Sequence, residues 1–309
     1  MNIQQLEYIV AVDTCRNFVQ AAEKCFVTQP TLSTMIQKLE DELEIRIFDR
    51  KKHPVAVTEA GEMIIRQAKI ILNDIKQLRS VVNEYKGEIR GEIRLGIIPT
   101  VAPYLLPLFL NEISVNYPQL TLKIEEQTTE KIIENIRTGS LDLGILATPL
   151  KENSIAEYPV YYERFLVYTN PGHRKDLRDK NITPMDLKDK EILLLEEGHC
   201  FRNQLIKICE LKEKTSSNIR FEAGSIETLM HLVDEGYGLT LLPELALKYM
   251  NEDKRKNTLN FIDPQPVREI SIVSHVYFER KKIIDVLRQA ILKVVLPLIE
   301  NRNNNLIEI

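Results

Sequence analysis

The sequence lacks the features of a membrane-bound or exported protein. It has no apolar run of the roughly 18–20 residues that a membrane-spanning helix requires. Its start, MNIQQLEYIV, has neither the basic segment nor the cleavage site of a secretory signal, so no export is expected. These absences favour a cytoplasmic protein with no membrane partner.

Cysteine is also scarce. The chain of 309 residues contains four cysteines and no CxxC pair. This usage is typical of the reducing cytosol rather than of a disulfide framework. The five histidines are scattered without ligand spacing, so we expect no metal site and no other cofactor.

An excess of positive charge is missing as well. The formal net charge is −4, and residues 1–58 carry seven Lys and Arg against eight Asp and Glu. Charge alone therefore gives no indication of a nucleic-acid partner. Any prediction of DNA binding must rest on the pattern of residues.

The chain is too long for one ordinary core, so two or three domains are expected. Three segments differ in their residue patterns. Residues 1–58 are dense in helical periodicity, residues 59–87 contain one long helix, and residues 88–309 alternate strands with helices. We take these as the three parts of the protein.

The first segment has the pattern of a helix-turn-helix. Apolar residues Phe18, Ala21, Ala22 and Cys25 repeat at i, i+3, i+4 and i+7, which predicts a second helix with Cys25 in its core face. A further helix begins near Thr28, which can cap it. Two helices joined by a short turn, the second with a polar face, are the composition of this motif.

The polar face of the following helix supplies the candidates for reading DNA. Base edges are read by short polar and amide side chains, and phosphates by hydroxyls and basic groups. The residues expected to contact a groove or phosphates are Thr28, Gln29, Pro30, Thr31, Ser33, Thr34, Gln37 and Lys38. Beyond them, IRIFDRKKHPVAVT alternates like two short strands around a basic turn. It predicts a wing that places Arg50 and Lys51 against phosphates.

The second segment predicts one long helix over 59–85. Its apolar residues recur at near-heptad spacing, which on a free-standing helix calls for a partner helix. They are Ile64, Ile65, Ala68, Ile71, Leu72, Ile75, Leu78 and Val82. We interpret the helix as a dimerisation arm, and the alternative is a helix buried in its own domain. A glycine-punctuated hinge over 86–91 follows.

The third segment predicts open sheets with helices on both faces, split into two subdomains. Strands are predicted at 93–98, 120–126, 141–147, 165–169, 192–195, 219–222 and 239–242, and helices at 103–116, 130–138, 200–213 and 225–236. Ligands of such sheets bind at the carboxyl ends of the strands, in the crevice between the halves. Thr100 and Thr129 each follow a predicted strand end.

The segment FVQAAEKCFVTQPTLSTMIQKLEDELEIRIFDR resembles the winged helix-turn-helix of LysR-type bacterial transcription regulators, and the order of segments is similar to that family over the whole chain. The resemblance implies an α/β protein with an N-terminal winged helix-turn-helix, a long dimerisation linker helix and a C-terminal two-subdomain, periplasmic-binding-protein-like (Rossmann-like) regulatory domain. It implies a homodimer or homotetramer on imperfect palindromes in double-stranded DNA, with RNA polymerase as a further partner, and a regulator rather than an enzyme.

Four segments resemble the peroxide-sensing OxyR branch of the family: MNIQQLEY, IRLGIIPTVAPYLLP, EQTT and LLLEEGHCFRNQ with a cysteine downstream. The resemblance implies that hydrogen peroxide oxidises Cys200 and that Cys209 resolves the product. It also implies a peroxide pocket. The residues that would contact or support peroxide there are Thr100, Thr129, His199, Arg202 and Arg268.

The spacing of the two cysteines constrains their pairing. If residues 200–213 form a helix, nine residues rise roughly 13–14 Å and the two thiols point to opposite sides. A disulfide requires Cα atoms within about 7 Å of each other. Either the cysteines never pair, or pairing must unravel the helix and so convert oxidation into a conformational switch.

The predicted position of Cys200 suits an oxidisable thiol. At a helix N-terminus, backbone N–H groups and the helix dipole favour the thiolate, which peroxide oxidises to a sulfenic acid. Condensation with Cys209 would then give the disulfide. We assign no chemistry to Cys15 or Cys25.

Two alternatives remain open. The first is a LysR-type regulator that binds a small metabolite in the crevice, with Cys200 incidental, so that Cys200→Ser leaves the response intact. The second is a thiol peroxidase enzyme, which would consume many equivalents of peroxide per Cys200. The predicted DNA-reading helix argues against the second alternative.

Overall fold

The computed structural model describes residues 1–85, 88–174, 181–188, 190–196, 200–208, 223–299 and 306–308. The predicted site residues His199 and Cys209 lie outside these ranges, as do the predicted strand at 219–222 and the helix end at 209–213. The chain forms two compact units. One consists of Met1–Glu88 with Asn135–Ser140, and the other of Ile89–Glu134 with Leu141–Ile309.

Three helices begin the first unit: α1 (Ile3–Cys15), α2 (Phe18–Lys24) and α3 (Gln29–Leu43). Asn2 and Asn17 cap the first two, because their side-chain oxygens accept backbone N–H groups of the first turn. The predicted cap of α3 is confirmed, since Thr28 Oγ1 accepts from the Thr31 N–H at 3.4 Å. The helices enclose one apolar core.

Cys25, which was predicted to complete the apolar face of the second helix, lies at the end of that helix and packs against the core. The helix α2 ends at Lys24, and Cys25 is its C-cap, with φ −90° and ψ 3°. Its side chain is only half-buried against the core. The Cys25 N–H still donates to the Ala21 carbonyl at 3.0 Å, and the chain leaves the helix at Phe26, which has a positive φ of 56°.

The wing is a two-stranded antiparallel sheet of β1 (Phe48–Asp49) and β2 (Ala56–Val57). The long helix predicted next is confirmed as α4 (Glu59–Tyr85). Ile65 and Ala68 of its apolar stripe are buried in the core of α1–α3, whereas Leu78 is 68% exposed. The first half of α4 therefore belongs to the core of this unit.

From residue 88 onward, strands and helices alternate. The elements are β3 (Gly91–Ile97), α5 (Ala102–Asn116), β4 (Leu120–Glu126), α6 (Thr129–Arg137), β5 (Leu143–Thr148), β6 (Ile155–Tyr168), α7 (Pro171–Arg174), β7 (Asn181–Ile182), a 3₁₀ helix (Pro184–Leu187), α8 (Cys200–Ile208), α9 (Ile226–Asp234), β8 (Thr240–Pro243), a second 3₁₀ helix (Glu244–Tyr249), α10 (Glu252–Arg255), β9 (Thr258–Phe261), β10 (Gln265–His275), α11 (Lys281–Val295) and β11 (Leu306–Glu308).

The sheet of the second unit runs in the order β4-β3-β5-β10-β6-β9-β7. Strand β3 is parallel to both β4 and β5, so the carboxyl ends of these three strands share one edge. Thr100 follows β3 at this edge, and Thr129 begins α6 after β4. The expected placement of the two threonines after strand ends is confirmed.

Strand β6 joins the two halves of the second unit, which we call the regulatory unit because it contains most of the predicted regulatory domain. Its residues 155–164 pair with β10, and its residues 165–168 pair with β8 and β9. This arrangement confirms an α/β regulatory domain made of two sheet regions. The periodicity missed β10 and α11 and placed the start of β6 too late, at Phe165.

The strand predicted at 192–195 is wrong. The segment contributes only isolated parallel bridges, from Ile192 to Leu239 and from Leu195 to Ala223. Its apolar run is instead explained by burial, since Leu195 is 1% exposed. In the part of the chain that the structure describes, no helix is long and apolar enough to cross a membrane.

Candidate functional site

A buried ion pair lies at the centre of the regulatory unit. Arg268 of β10 and Glu163 of β6 are direct cross-strand partners, and each is only 1% exposed. Arg268 donates to Glu163 Oε1 from Nε at 2.9 Å, and its Nη2 lies 2.7 Å from the same oxygen. Such charge-assisted, two-pronged contacts hold a guanidinium in a fixed plane.

The free edge of the same guanidinium holds Thr100. Arg268 donates from Nη1 to Thr100 Oγ1 at 2.9 Å and from Nη2 to the Thr100 carbonyl at 3.1 Å. A guanidinium has donors and no acceptor. The Thr100 hydroxyl must therefore point its own proton away from Arg268, toward another acceptor.

Arg268 also contacts the helix that begins with Cys200. Its guanidinium carbon lies 5.2 Å from the ring centroid of Phe201 and 5.9 Å from that of Phe165. The two rings pack against each other at 5.4 Å between centroids. Because Phe201 directly follows Cys200, Arg268 connects Thr100 to the first turn of α8.

Cys200 is the first residue of α8, half-buried and with a free thiol. Gln204 lies one helical turn further on the same side of α8. Its Oε1 is buried and accepts no hydrogen bond from the described part of the chain, and the same ranges offer no partner to the buried Oγ1 of Thr129. Unmatched buried polar atoms are costly, so each of these two atoms can form a hydrogen bond with a polar ligand or water.

Arg202, two residues after Cys200, is hydrogen-bonded to the backbone of the segment that precedes α8. Its Nη1 donates to the Leu195 carbonyl at 3.0 Å. Leu195 forms a bridge with Ala223, and the Glu196 N–H donates to the Ala223 carbonyl at 3.0 Å. The first turn of α8 and the residues that precede α9 are thus attached to one short segment.

Burial shifts the pKa values of two groups near Arg268. It raises the pKa of the Glu163 carboxyl, and the charge and hydrogen bonds of Arg268 oppose that rise. Burial also raises the pKa of Tyr161, which is two residues earlier on β6, well above its ordinary value. Tyr161 is therefore a neutral phenol beside the ion pair.

The polar face of α3 is accessible. Of the residues predicted to contact DNA from this helix and its cap, Ser33 is half-buried and the others are exposed: Thr28, Gln29, Pro30, Thr31, Thr34, Gln37 and Lys38. Lys51 of the wing is exposed too. This surface has the short polar and amide groups that a groove-reading helix uses.

Arg50 attaches the wing to α3. It donates from Nη1 to Ser33 Oγ at 2.9 Å and from Nη2 to Glu40 Oε2 at 3.1 Å, with its guanidinium 5.1 Å from the Phe18 ring centroid. Its expected contact with phosphate stays a prediction. Glu40 is fully buried at its side chain and also accepts from the Ile47 N–H at 2.8 Å.

Three residues of these sites were missed by sequence reasoning: Glu40, Glu163 and Gln204. Each is a polar residue buried among apolar neighbours, so periodicity treats it as an ordinary break in the pattern. In the described ranges no group of three or more His, Cys, Asp or Glu is arranged to hold a metal ion.

Comparisons with known proteins agree with this architecture. Residues 3–62 match the family model of the bacterial regulatory helix-turn-helix protein of the lysR family, and residues 86–295 match that of the LysR substrate binding domain. A hydrogen peroxide-inducible genes activator of Haemophilus influenzae is 37% identical over 276 residues, which cover 88% of this chain and 90% of that protein.

Two solved structures are similar as well. A full-length OxyR variant from Pseudomonas aeruginosa has a TM-score of 0.75 and 34% identity, covering 94% of this chain and 98% of its own. A hydrogen peroxide-bound OxyR mutant from Corynebacterium glutamicum has a TM-score of 0.65 and 28% identity, covering 96% and 94%. The chain therefore belongs to the LysR family of bacterial transcription regulators, and it is similar to OxyR-type members of that family.

Proposed function

We propose that this protein is a DNA-binding transcription regulator that responds to hydrogen peroxide through Cys200. The observation that carries the proposal is the Arg268 contact that joins Thr100 to Phe201, next to Cys200. Support also comes from the relatives, one named a hydrogen peroxide-inducible activator and another solved with peroxide bound.

In the first step the Cys200 thiolate attacks one oxygen of hydrogen peroxide. The S–O bond forms as the O–O bond breaks, so sulfur loses two electrons and peroxide is reduced. The departing hydroxide takes a proton and leaves as water. Thr100 and Thr129 donate to the peroxide oxygens, and Gln204 Oε1 accepts a peroxide proton. His199 and Arg202 complete the support that the resemblance implies.

In the second step Cys209 attacks the Cys200 sulfur. The S–S bond forms, the S–O bond breaks and a water molecule leaves. Since the two thiols are too far apart on a continuous helix, the disulfide requires residues 200–215 to rearrange. One oxidation thereby produces two conformations of the regulatory domain.

The rest of the chain converts this change into a signal on DNA. We assign residues 1–58 to the winged helix-turn-helix, 59–87 to a dimerisation helix and 88–309 to the sensing domain. A homodimer, or a homotetramer as a dimer of dimers, would bind imperfect palindromes through the exposed face of α3. Oxidation would alter the spacing of the bound half-sites and the contact with RNA polymerase. The protein would act in the cytoplasm, without catalytic turnover.

DNA footprinting tests this proposal. Peroxide should alter the length of DNA protected by the wild-type protein and leave the footprint of Cys200→Ser unchanged. A footprint that changes equally in both proteins would favour a regulator that responds to a metabolite in the crevice. Consumption of many peroxide equivalents per Cys200 would favour the peroxidase alternative.

A further inference from the structure

Two buried ion pairs each include a residue of β6, and one of them contacts residues of the proposed peroxide site. Glu163 pairs with Arg268, and the next residue, Arg164, pairs with Glu244 at 2.5 Å. The four side chains are 9% exposed or less. Each pair therefore joins one glutamate to one arginine, is buried, and includes one residue of β6. The pairs differ in what else the arginine contacts.

The Glu163 carboxylate is directed entirely inward. Its Oε1 takes the two contacts from Arg268, and its Oε2 lies 3.5 Å from the Leu245 N–H. At 1% exposure it cannot meet a substrate in solvent. Its two charge-assisted contacts are both made with Arg268, which therefore links it to Thr100 and Phe201.

Arg268 has one orientation that satisfies all of its partners. With Nε and one Nη2 proton directed at Glu163, the guanidinium plane is fixed and its outer edge meets Thr100. The face of that plane packs on Phe201. A buried guanidinium deprived of its counter-charge would turn toward another acceptor or admit water.

We propose that Glu163 is a positioning residue for the oxidation of Cys200: through Arg268 it holds the Thr100 hydroxyl as a hydrogen-bond donor toward peroxide. This inference rests on the proposed function and deepens it. Glu163 does not touch the reacting atoms. Its effect is to keep the Thr100 hydroxyl in the orientation that peroxide binding requires. Misplacing a substrate-binding group by about 1 Å can lower a rate by roughly a hundredfold.

The second ion pair provides the matched control. Arg164 donates to Gln265 Oε1 at 3.2 Å as well as to Glu244, whereas the guanidinium on Thr100 is that of Arg268. Glu244→Gln therefore removes the same charge from the same depth of the same unit. Glu163→Gln and Glu244→Gln should differ in their effect on Thr100, because the guanidinium that donates to its hydroxyl is the partner of Glu163.

The test compares two reactions of the same thiol in the full-length protein. Oxidation of Cys200 by hydrogen peroxide requires the positioned Thr100, and alkylation of Cys200 by iodoacetamide does not. Glu163→Gln should slow oxidation roughly tenfold to a hundredfold and change alkylation less than about twofold. Glu244→Gln should leave both rates near those of the wild type. In a Thr100→Val background, Glu163→Gln should have little further effect.

Other outcomes overturn the proposal. Equal slowing of oxidation and alkylation by Glu163→Gln would mean a general structural role, and an unchanged oxidation rate would mean no role. Should Glu163→Gln not fold, Glu163→Asp keeps the charge and shortens the reach, and the same selective loss is expected. A wild-type oxidation rate no faster than that of free cysteine would instead overturn the proposed function itself.

Discussion

Arg202 donates from Nη1 to the carbonyl of Leu195 at 3.0 Å, and Leu195 is in turn the bridge partner of Ala223. Arg202 belongs to the first turn of α8, and Ala223 lies three residues before α9. The residues between them include Cys209. The chain between Arg202 and Ala223, which contains Cys209, is thus attached at both of its ends to Leu195.

Removing the Arg202 hydrogen bond should loosen α8. Arg202→Met keeps the length of the side chain but loses a charged hydrogen bond, which is worth about 1.5–3 kcal/mol. Hydrogen exchange of the α8 amides should accelerate, and conversion of sulfenic acid to disulfide should be faster. Arg255→Met, which loses a similar bond to the Leu247 carbonyl at 3.0 Å, serves as the control. Unchanged α8 protection in Arg202→Met would contradict the role of this contact.

Glu40 should be essential for the stability of the DNA-binding unit. Its buried carboxylate accepts from the backbone N–H groups of Ile47 and Phe48 and pairs with Arg46 and Arg50. Glu40→Ala leaves these donors unmatched and should lower the free energy of unfolding by about 3 kcal/mol. Chemical denaturation monitored for this unit measures the loss.

The control for that substitution is an exposed ion pair in the same unit. Glu42 pairs with the amino terminus at 2.6 Å, and both groups are about half exposed. Glu42→Ala should cost less than about 1 kcal/mol. Comparable losses in Glu40→Ala and Glu42→Ala would show that the buried carboxylate does not anchor the wing.

The contacts that α3 is proposed to make with DNA should fall into two groups, those that read bases and those that bind phosphates. Gln29→Ala should weaken binding to a cognate operator by about 1–3 kcal/mol and leave the salt dependence unchanged. Lys38→Ala should weaken binding to all duplexes and reduce the slope of log K against log salt by about 1. Lys131→Ala, an exposed lysine paired with Glu134 at 2.8 Å, should do neither. Titrations at several salt concentrations distinguish the three variants, and identical slopes for all would exclude a phosphate contact by Lys38.

Cys25 should be a poor target for oxidants at neutral pH. Burial raises the pKa of its thiol above the ordinary value, and the nearby Glu7 charge adds to that rise. The thiolate is the reactive form, so at pH 8 the folded protein holds less Cys25 thiolate than the unfolded chain does. Iodoacetamide should modify Cys25 more slowly in the folded protein than in urea, with the rate rising as the pH is increased. Equal rates in both states would disprove this protection.

Periodicity and resemblance predicted much of the architecture. The helix α4 and the strand β4 have the predicted bounds, because their residues follow one period without interruption. Strand β10 was missed because it carries three buried polar residues, Arg268, Ser271 and Ser274, which interrupt its apolar pattern. Arg268 and Ser271 are hydrogen-bonded to Glu163 and Thr148, which lie 105 and 123 residues away in the sequence.

The proposed peroxide site shows the same limit of sequence patterns. Resemblance indicated Thr100 and Arg268, but Glu163 is 105 residues from Arg268 and became visible only when β6 and β10 paired in register. Arg50 was assigned to phosphates from its charge, whereas the fold shows that it also pairs with Glu40. Sequence patterns locate charged residues, and only the fold reveals their partners.

Peptide mapping after one equivalent of hydrogen peroxide tests the central claim most directly. Intact mass measured under non-reducing conditions should fall by two hydrogens, and digestion should yield one peptide pair joined through Cys200 and Cys209. Reduction should restore the original mass, and Cys200→Ser should show no such change. An unmodified Cys200 beside oxidised Cys15 or Cys25 would contradict the account.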